Sequence, residues 1–143
     1  MRLITKETLD SNIKTDKNPL SAGVLGSYFM CLIYADPAVG PQPGTEAFGP
    51  FMHGYQAFTE AVTKDGKMLH ADALQGVETA TSVSVRGGKT EIMDGPFAET
   101  KEHLGGYYLL ECENLDEAVK YAAQIPTAEH GRIEVRPVMV WDS

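Results

Sequence analysis

The chain has 143 residues, of which 43% are hydrophobic and 22% are charged, as expected for one globular domain rather than a disordered or fibrous protein. Twenty acidic residues against twelve basic ones give a net charge of -8, which disfavours binding to nucleic-acid phosphates. The sequence shows no apolar run long enough to cross a bilayer and no signal-peptide core, so we expect a cytoplasmic protein without membrane contact.

The N-terminal part of the chain differs in character from the rest. Residues 1–26 are polar and lack regular apolar spacing, so we predict an extension there and one domain over residues 27–143. The apolar run from Tyr28 to Tyr34 has the length of a central strand. Prolines and glycines then predict a loop over Asp36 to Gly49, and a loop of this kind can border a pocket.

A first helix is predicted by apolar residues at helical spacing. They form one stripe that Gly66 would end as a C-cap: Phe51, Tyr55, Phe58 and Val62. Strands are predicted next over Lys67 to Leu74 and Thr79 to Arg86. The Gly87-Gly88 pair predicts a tight hairpin turn, which would bring back a strand over Lys89 to Met93.

The C-terminal third predicts a strand, a helix and a strand. The strand Gly105 to Cys112 is followed by Asn114, an N-cap in capping-box spacing with Glu117, and Pro126 would end the helix. The last strand is predicted over Arg132 to Val138. This order predicts an α+β fold, a ferredoxin-like split βαβ arrangement with an antiparallel sheet and an added hairpin.

One segment also carries a family resemblance. The run from Ile92 to Tyr108, IMDGPFAETKEHLGGYY, resembles the signature of the DGPF (YCII-related) family. Shorter similarities support it at Cys31 to Tyr34, Ala73 to Gln75, Leu115 to Ala118 and Glu134 to Pro137, so the resemblance covers roughly residues 27 to 140.

The resemblance implies a ferredoxin-like subunit that pairs across its sheet into a homodimeric α+β barrel, with a cleft between sheet and loops. The resemblance implies no particular activity, because members of the family are mostly uncharacterised. Some members are encoded beside extracytoplasmic-function sigma factors. Proteins of related fold include lactone-processing and monooxygenase enzymes. A His near the first helix and an Asp after it have been regarded as a catalytic pair in the family. The nearest counterparts here are His53 and Asp72, with Tyr55 as a rival for the His position.

The signature turn offers further candidate residues. Asp94 can accept hydrogen bonds from backbone N–H groups around Gly95, which makes either a purely structural turn with Phe97 packed as an anchor or a pocket wall. In the connection that follows, Lys101 can hold an anionic ligand and His103 can change protonation near neutral pH.

A second candidate pair lies on the predicted second strand. His70 and Asp72 are two positions apart, so their side chains should point to the same face of the sheet. Tyr107, in the predicted strand Gly105 to Cys112, is a candidate ligand-binding residue. We predict no metal site and no cofactor, because the four histidines are scattered and no glycine-rich phosphate loop follows a strand.

Together these features predict a dimeric protein that binds a small molecule or catalyses cofactor-free proton transfer on a small organic acid or lactone. His53 or His70 would act as the base and Lys101 as the anion holder, in a pocket bounded by the Asp36 to Gly49 and Asp94 to His103 loops. The alternative is a regulatory protein–protein interaction module linked to a sigma factor. A purely structural assembly subunit would be favoured if the fold contained no cavity.

Overall fold

The computed structural model describes residues 26–141, and the predicted extension lies almost wholly outside them. Two helices and six strands follow one another along the described chain. In order they are β1 (Ser27–Ala35), α1 (Phe48–Lys64), β2 (Met68–Ala73), β3 (Thr81–Arg86), β4 (Lys89–Asp94), β5 (His103–Cys112), α2 (Leu115–Ala122) and β6 (Arg132–Pro137). Short 3-10 turns lie at Val77–Thr79 and Pro126–Glu129.

Four of the strands form one antiparallel sheet in the order β2-β5-β1-β6. Chain-adjacent strands are therefore separated by a strand from the other half of the chain, as the split βαβ prediction requires. The predicted α+β ferredoxin-like fold is confirmed. Strands β3 and β4 pair only with each other, as the added hairpin.

Both helices cover the same face of the four-stranded sheet. The main core lies between them and that face, and its buried members include Phe29, Cys31, Phe58, Val62, Leu110 and Ala122. The opposite face carries a smaller apolar cluster around Tyr28 and Leu109. Side chains alternate between the two faces along each strand, so β1 and β5 supply residues to both clusters.

Helix α1 begins earlier than the sequence predicted. The predicted loop ended at Gly49, but the helix begins at Phe48 and includes Pro50 in its first turn. Proline is accepted there because the first backbone N–H groups of a helix have no partner inside it. The predicted end is confirmed: Gly66 has a φ of 72°, and the N–H groups of Gly66 and Lys67 bond to the carbonyls of Thr63 and Val62.

The remaining local predictions hold with small shifts at the ends. Gly87 and Gly88 both have positive φ and form the hairpin turn. Asn114 caps α2 by accepting a hydrogen bond from the Glu117 N–H at 2.9 Å. Neither helix of the described part is long and apolar enough to cross a membrane.

Candidate functional site

A cavity of about 610 Å³ lies between the first half of α1 and one end of the sheet, and we term it the helix-side cavity. Helix α1 contributes Phe51, Met52, Tyr55 and Thr59 to its wall, and the sheet contributes residues of β1, β2 and β5. Most of the remaining wall is apolar: Ile33, Ala35, Pro37, Ala71, Ala73, Leu74, Val77 and Leu104. A cavity of this size and lining is typical of small-molecule sites.

Gly106 brings two strands unusually close at this cavity. A Cβ atom at this position would stand 2.7 Å from the backbone oxygen of Asp72 and 3.2 Å from the Cα of Ala73. Both of those atoms are backbone, so they cannot rotate away as a side chain would. The wall between β2 and β5 is therefore made by main chain, and only glycine fits there.

Two hydroxyl pairs provide polar groups in the apolar wall. The Tyr55 hydroxyl bonds to Thr127 Oγ1, and Thr59 Oγ1 bonds to the Tyr108 hydroxyl at 2.7 Å. Each pair carries two hydrogens and uses one of them internally, so the second remains to be donated to a ligand. Burial raises the pKa of Tyr55 and of Tyr108, outweighing the lowering effect of their threonine partners, so both tyrosines stay neutral donors.

Few of the side chains that line the cavity can carry a charge. None of the described residues that line it is a lysine or an arginine, and Asp72 is the carboxylate among them. Apart from His103, a ligand carboxylate would meet no described side chain in this wall that can carry a positive charge. The predicted anion holder Lys101 is exposed and lies outside the lining.

His70, Asp72 and Tyr107 form a contact cluster at the sheet end. The Tyr107 hydroxyl lies 2.7 Å from His70 Nδ1 and 3.3 Å from Asp72 Oδ2, and His70 Nε2 lies 3.6 Å from the same oxygen. The His70 and Tyr107 rings also stack, with centroids 5.7 Å apart. The predicted common face of His70 and Asp72 is thus visible in their shared partner, Tyr107.

This cluster has two hydrogen-bonding arrangements. In one, Tyr107 donates to His70 Nδ1; in the other, His70 Nδ1–H donates to Tyr107, which donates to Asp72. Burial, and then the Asp72 carboxylate, raise the pKa of Tyr107, so its hydroxyl keeps its proton. Asp72 and Tyr107 are among the lining residues and His70 is not, while strand alternation places the contacts between these three side chains on the sheet face opposite Tyr108 and α1.

The other predicted site residues fall into two groups. His103 lines the helix-side cavity and also a second one of about 700 Å³ beside the signature turn, the turn-side cavity, where Phe97 lies. His53 and Lys101 are exposed, and neither belongs to the described residues that line the two cavities. The family-derived pairing of His53 with Asp72 has no support in this geometry, and its rival Tyr55 occupies the wall.

The purely structural interpretation of the signature turn is wrong in one respect. Phe97 is 82% exposed, so it is not packed as an anchor. The Asp94 carboxylate accepts no hydrogen bond from any described residue; the turn is instead closed by the Gly95 N–H on the Ala80 carbonyl at 2.8 Å and by the Ser82 hydroxyl on the Gly95 carbonyl at 2.7 Å. A main-chain carbonyl thus takes the position that the carboxylate was predicted to fill.

No local sequence pattern predicted the hydroxyl pairs. Tyr55 and Thr127 are 72 positions apart, and Thr59 and Tyr108 are 49 apart. Only the packing of α1 on the sheet brings them together. The signal that was available is the spacing of Tyr55 and Thr59, which are four positions apart and therefore lie on the same face of α1.

Residues 26–141 contain no group of three or more His, Cys, Asp or Glu side chains arranged to hold a metal ion. The two cysteines, Cys31 and Cys112, are free and buried within the core. Burial raises the pKa of Cys31 to about 12 and that of Cys112 to about 11, so both remain thiols at neutral pH.

Comparison with known proteins identifies a family that this chain matches. A family model described as YCII-related domain matches residues 27–142. A protein of Rhizobium meliloti (strain 1021), described as Uncharacterized protein R00369, is 34% identical over 115 residues, which cover 79% of this chain and 93% of that protein. The match brings no activity with it, because that protein is itself described as uncharacterized.

Proposed function

The chain belongs to the YCII-related domain family, and from that premise we propose that it binds an uncharged small molecule of the lactone class in the helix-side cavity. The observation that carries this proposal is the combination of an apolar wall, two neutral hydroxyl pairs and the absence of lysine and arginine among the described lining residues.

The hydroxyl pairs favour a ligand that accepts hydrogen bonds. Each pair has one hydrogen to donate, and a lactone carbonyl or ring oxygen can accept it without bringing charge into the cavity. A hydrogen bond of this kind contributes about 0.5–1.5 kcal/mol net. The apolar remainder of the ligand would replace water against residues such as Met52 and Leu104.

The same wall disfavours the organic acids that the sequence left open. Moving a carboxylate out of water without a cation costs on the order of several kcal/mol, more than two neutral hydroxyls return. Between the two predicted ligand classes, the cavity chemistry therefore favours the lactone over the acid.

Cofactor-free proton transfer is the reaction that this site would support. Asp72 and Tyr107 are among the lining residues, but their side chains lie on the sheet face away from α1, and there His70 would accept or return a proton through Tyr107. In lactone ring opening, water adds to the acyl carbon, the acyl–oxygen ring bond breaks, and one water proton ends on the ring oxygen. The cluster would carry that proton.

Calorimetric titration with γ-lactones and with the matching ring-opened hydroxy acids tests the proposal. The wild type should bind lactones and not the acids. Replacing a whole hydroxyl pair, as in Thr59→Val with Tyr108→Phe, should weaken lactone binding about tenfold, the equivalent of one hydrogen bond. Removing both partners leaves no unpaired buried hydroxyl, so the fold should be kept.

The control is the double variant Thr63→Val with Tyr121→Phe. It makes the same chemical changes on the same helix and on α2, at residues outside the helix-side cavity lining. Its lactone affinity should match the wild type. Equal affinity for lactones and acids, or no lactone binding at all, would contradict the proposal.

A second candidate, a regulatory protein–protein interaction module, is favoured by the β3–β4 hairpin. One of its faces carries Val83, Val85 and Ile92, each more than half exposed. An apolar face of this kind suits a protein partner, while an isolated two-stranded hairpin is only marginally stable in water. A sigma factor as that partner remains the family-based hypothesis.

A further inference from the structure

The turn-side cavity lies directly beside the helix-side cavity. Six residues line both: Leu74, Gln75, Gly76, Val77, His103 and Leu104. The two spaces are therefore separated by one shared wall, made from the segment after β2 and the first residues of β5. Neither cavity has a lysine or arginine among its described lining residues, so the two are chemically alike.

Large apolar side chains are exposed at this shared wall and next to it. Leu74 is 50% exposed, Leu104 is 39% exposed, and Phe97, on the signature turn beyond them, is 82% exposed. These side chains do not contribute to the packing of the core, because they belong to neither of its buried clusters. Exposed apolar surface grouped along a concave region is typical of a ligand-binding groove.

The turn that carries Phe97 is held in place by hydrogen bonds rather than by core packing. Gly95, with a φ of 88°, bonds through its N–H to Ala80 and through its carbonyl to the Ser82 hydroxyl. These bonds attach the turn to the start of β3. Phe97 is thereby presented at the turn-side cavity while its ring stays uncovered.

We propose that the two cavities are one bipartite site for an elongated neutral amphiphile, with the polar group held at the hydroxyl pairs and an apolar chain passing the shared wall to lie against Phe97. This inference rests on the proposed function and names its ligand more narrowly. The carboxylate of the turn-side cavity, Glu102, is paired with Arg132 at 3.0 Å, so it does not oppose an apolar chain.

A homologous series of γ-lactones, with side chains from methyl to octyl, tests this inference by calorimetry. Each buried methylene contributes about 0.8 kcal/mol, which corresponds to about a fourfold gain in affinity. In the wild type the gain should continue to the longest chains. Phe97→Ala should weaken binding of the octyl lactone about tenfold or more and leave that of the methyl lactone unchanged.

Two further variants complete the test. Ala98→Trp fills the turn-side cavity and should abolish the gain for long chains only, whereas Ile92→Ala, an exposed apolar residue outside both cavities, should change nothing. If affinity stops rising at short chains in the wild type, or if Phe97→Ala affects all lactones equally, the bipartite site is wrong and the proposed function stands. If no lactone binds, the proposed function itself fails.

Discussion

His70 contacts Tyr107 through one ring nitrogen and approaches Asp72 with the other, and because it lies outside the cavity lining, its proposed role in proton transfer can be tested separately from ligand binding. If the cluster relays a proton during lactone ring opening, His70→Gln should lower the turnover number about 10²- to 10⁴-fold, the usual contribution of acid–base catalysis. The dissociation constant should change little, because His70 does not line the cavity. Proton release in a pH-stat measures the rate.

His53→Gln is the matched control for that experiment. His53 is exposed on α1 and outside both cavities, so its replacement should leave turnover unchanged. A loss only in His53→Gln would rule out His70 and support the family-derived pairing, whereas equal losses in the two variants would show that the effect is not specific to His70.

For individual residues, the sequence predicted the side-chain directions that strand geometry determines, but not the contacts between distant segments. His70 and Asp72 share a face because side chains two positions apart in a strand do so, and the bulge between Met68 and His70 lies before both. The Tyr55–Thr127 contact and the exposure of Phe97 depend on how distant segments pack. No local pattern encodes such packing.

Among the elements, the β3–β4 hairpin is the one least tied to the rest of the described chain, because its strands pair only with each other. If its apolar face docks on a regulatory partner, affinity purification of the wild type should retain one protein in stoichiometric amount. Val83→Lys with Ile92→Lys should lose that protein, since charges would be buried at the contact.

The control for the hairpin variant is Val119→Lys, which alters an exposed valine on α2. It should retain the same partner as the wild type. Purification of the wild type alone would contradict the regulatory function and leave the binding function as the better account.

Helix and strand positions were predictable because their signals are local. Gly66, Gly87, Gly88 and Asn114 mark ends and turns through their own backbone preferences or capping bonds, and each acts as predicted. The start of α1 was missed because Ala47, at its N-cap, makes no side-chain capping bond and Pro50 resembled part of the loop. A helix that begins without a capping side chain has no local sequence signal at its start.

For the whole molecule, the sheet face opposite the helices is the surface on which the predicted dimerisation depends. The cluster of Tyr28 and Leu109, with Met30 and Val138 against it, gives this face an apolar centre. We propose that a second copy packs there, as the family resemblance implies. Light scattering after size exclusion should show two chains for the wild type and one for Leu32→Lys, which places a charge on the same face.

Leu115→Lys, at an exposed position on α2, is the control and should keep the mass of the wild type. A wild type that runs as one chain at micromolar concentration would contradict the dimer. The ferredoxin-like fold could be predicted because it follows from the order of helices and strands along the chain. The pairing of two copies could not, because it depends on the shape and chemistry of their surfaces.

The close approach at Gly106 restricts how ligand preference can change. Since main chain forms that stretch of wall, no substitution can widen it, and any added side chain would push the edge strand away from its neighbour. If the cavity binds a ligand as proposed, its selectivity would diverge at side-chain positions of the wall such as Pro37, Phe51 and Met52. A mutant library intended to retune this protein would yield new specificities from those three positions and misfolded chains from position 106.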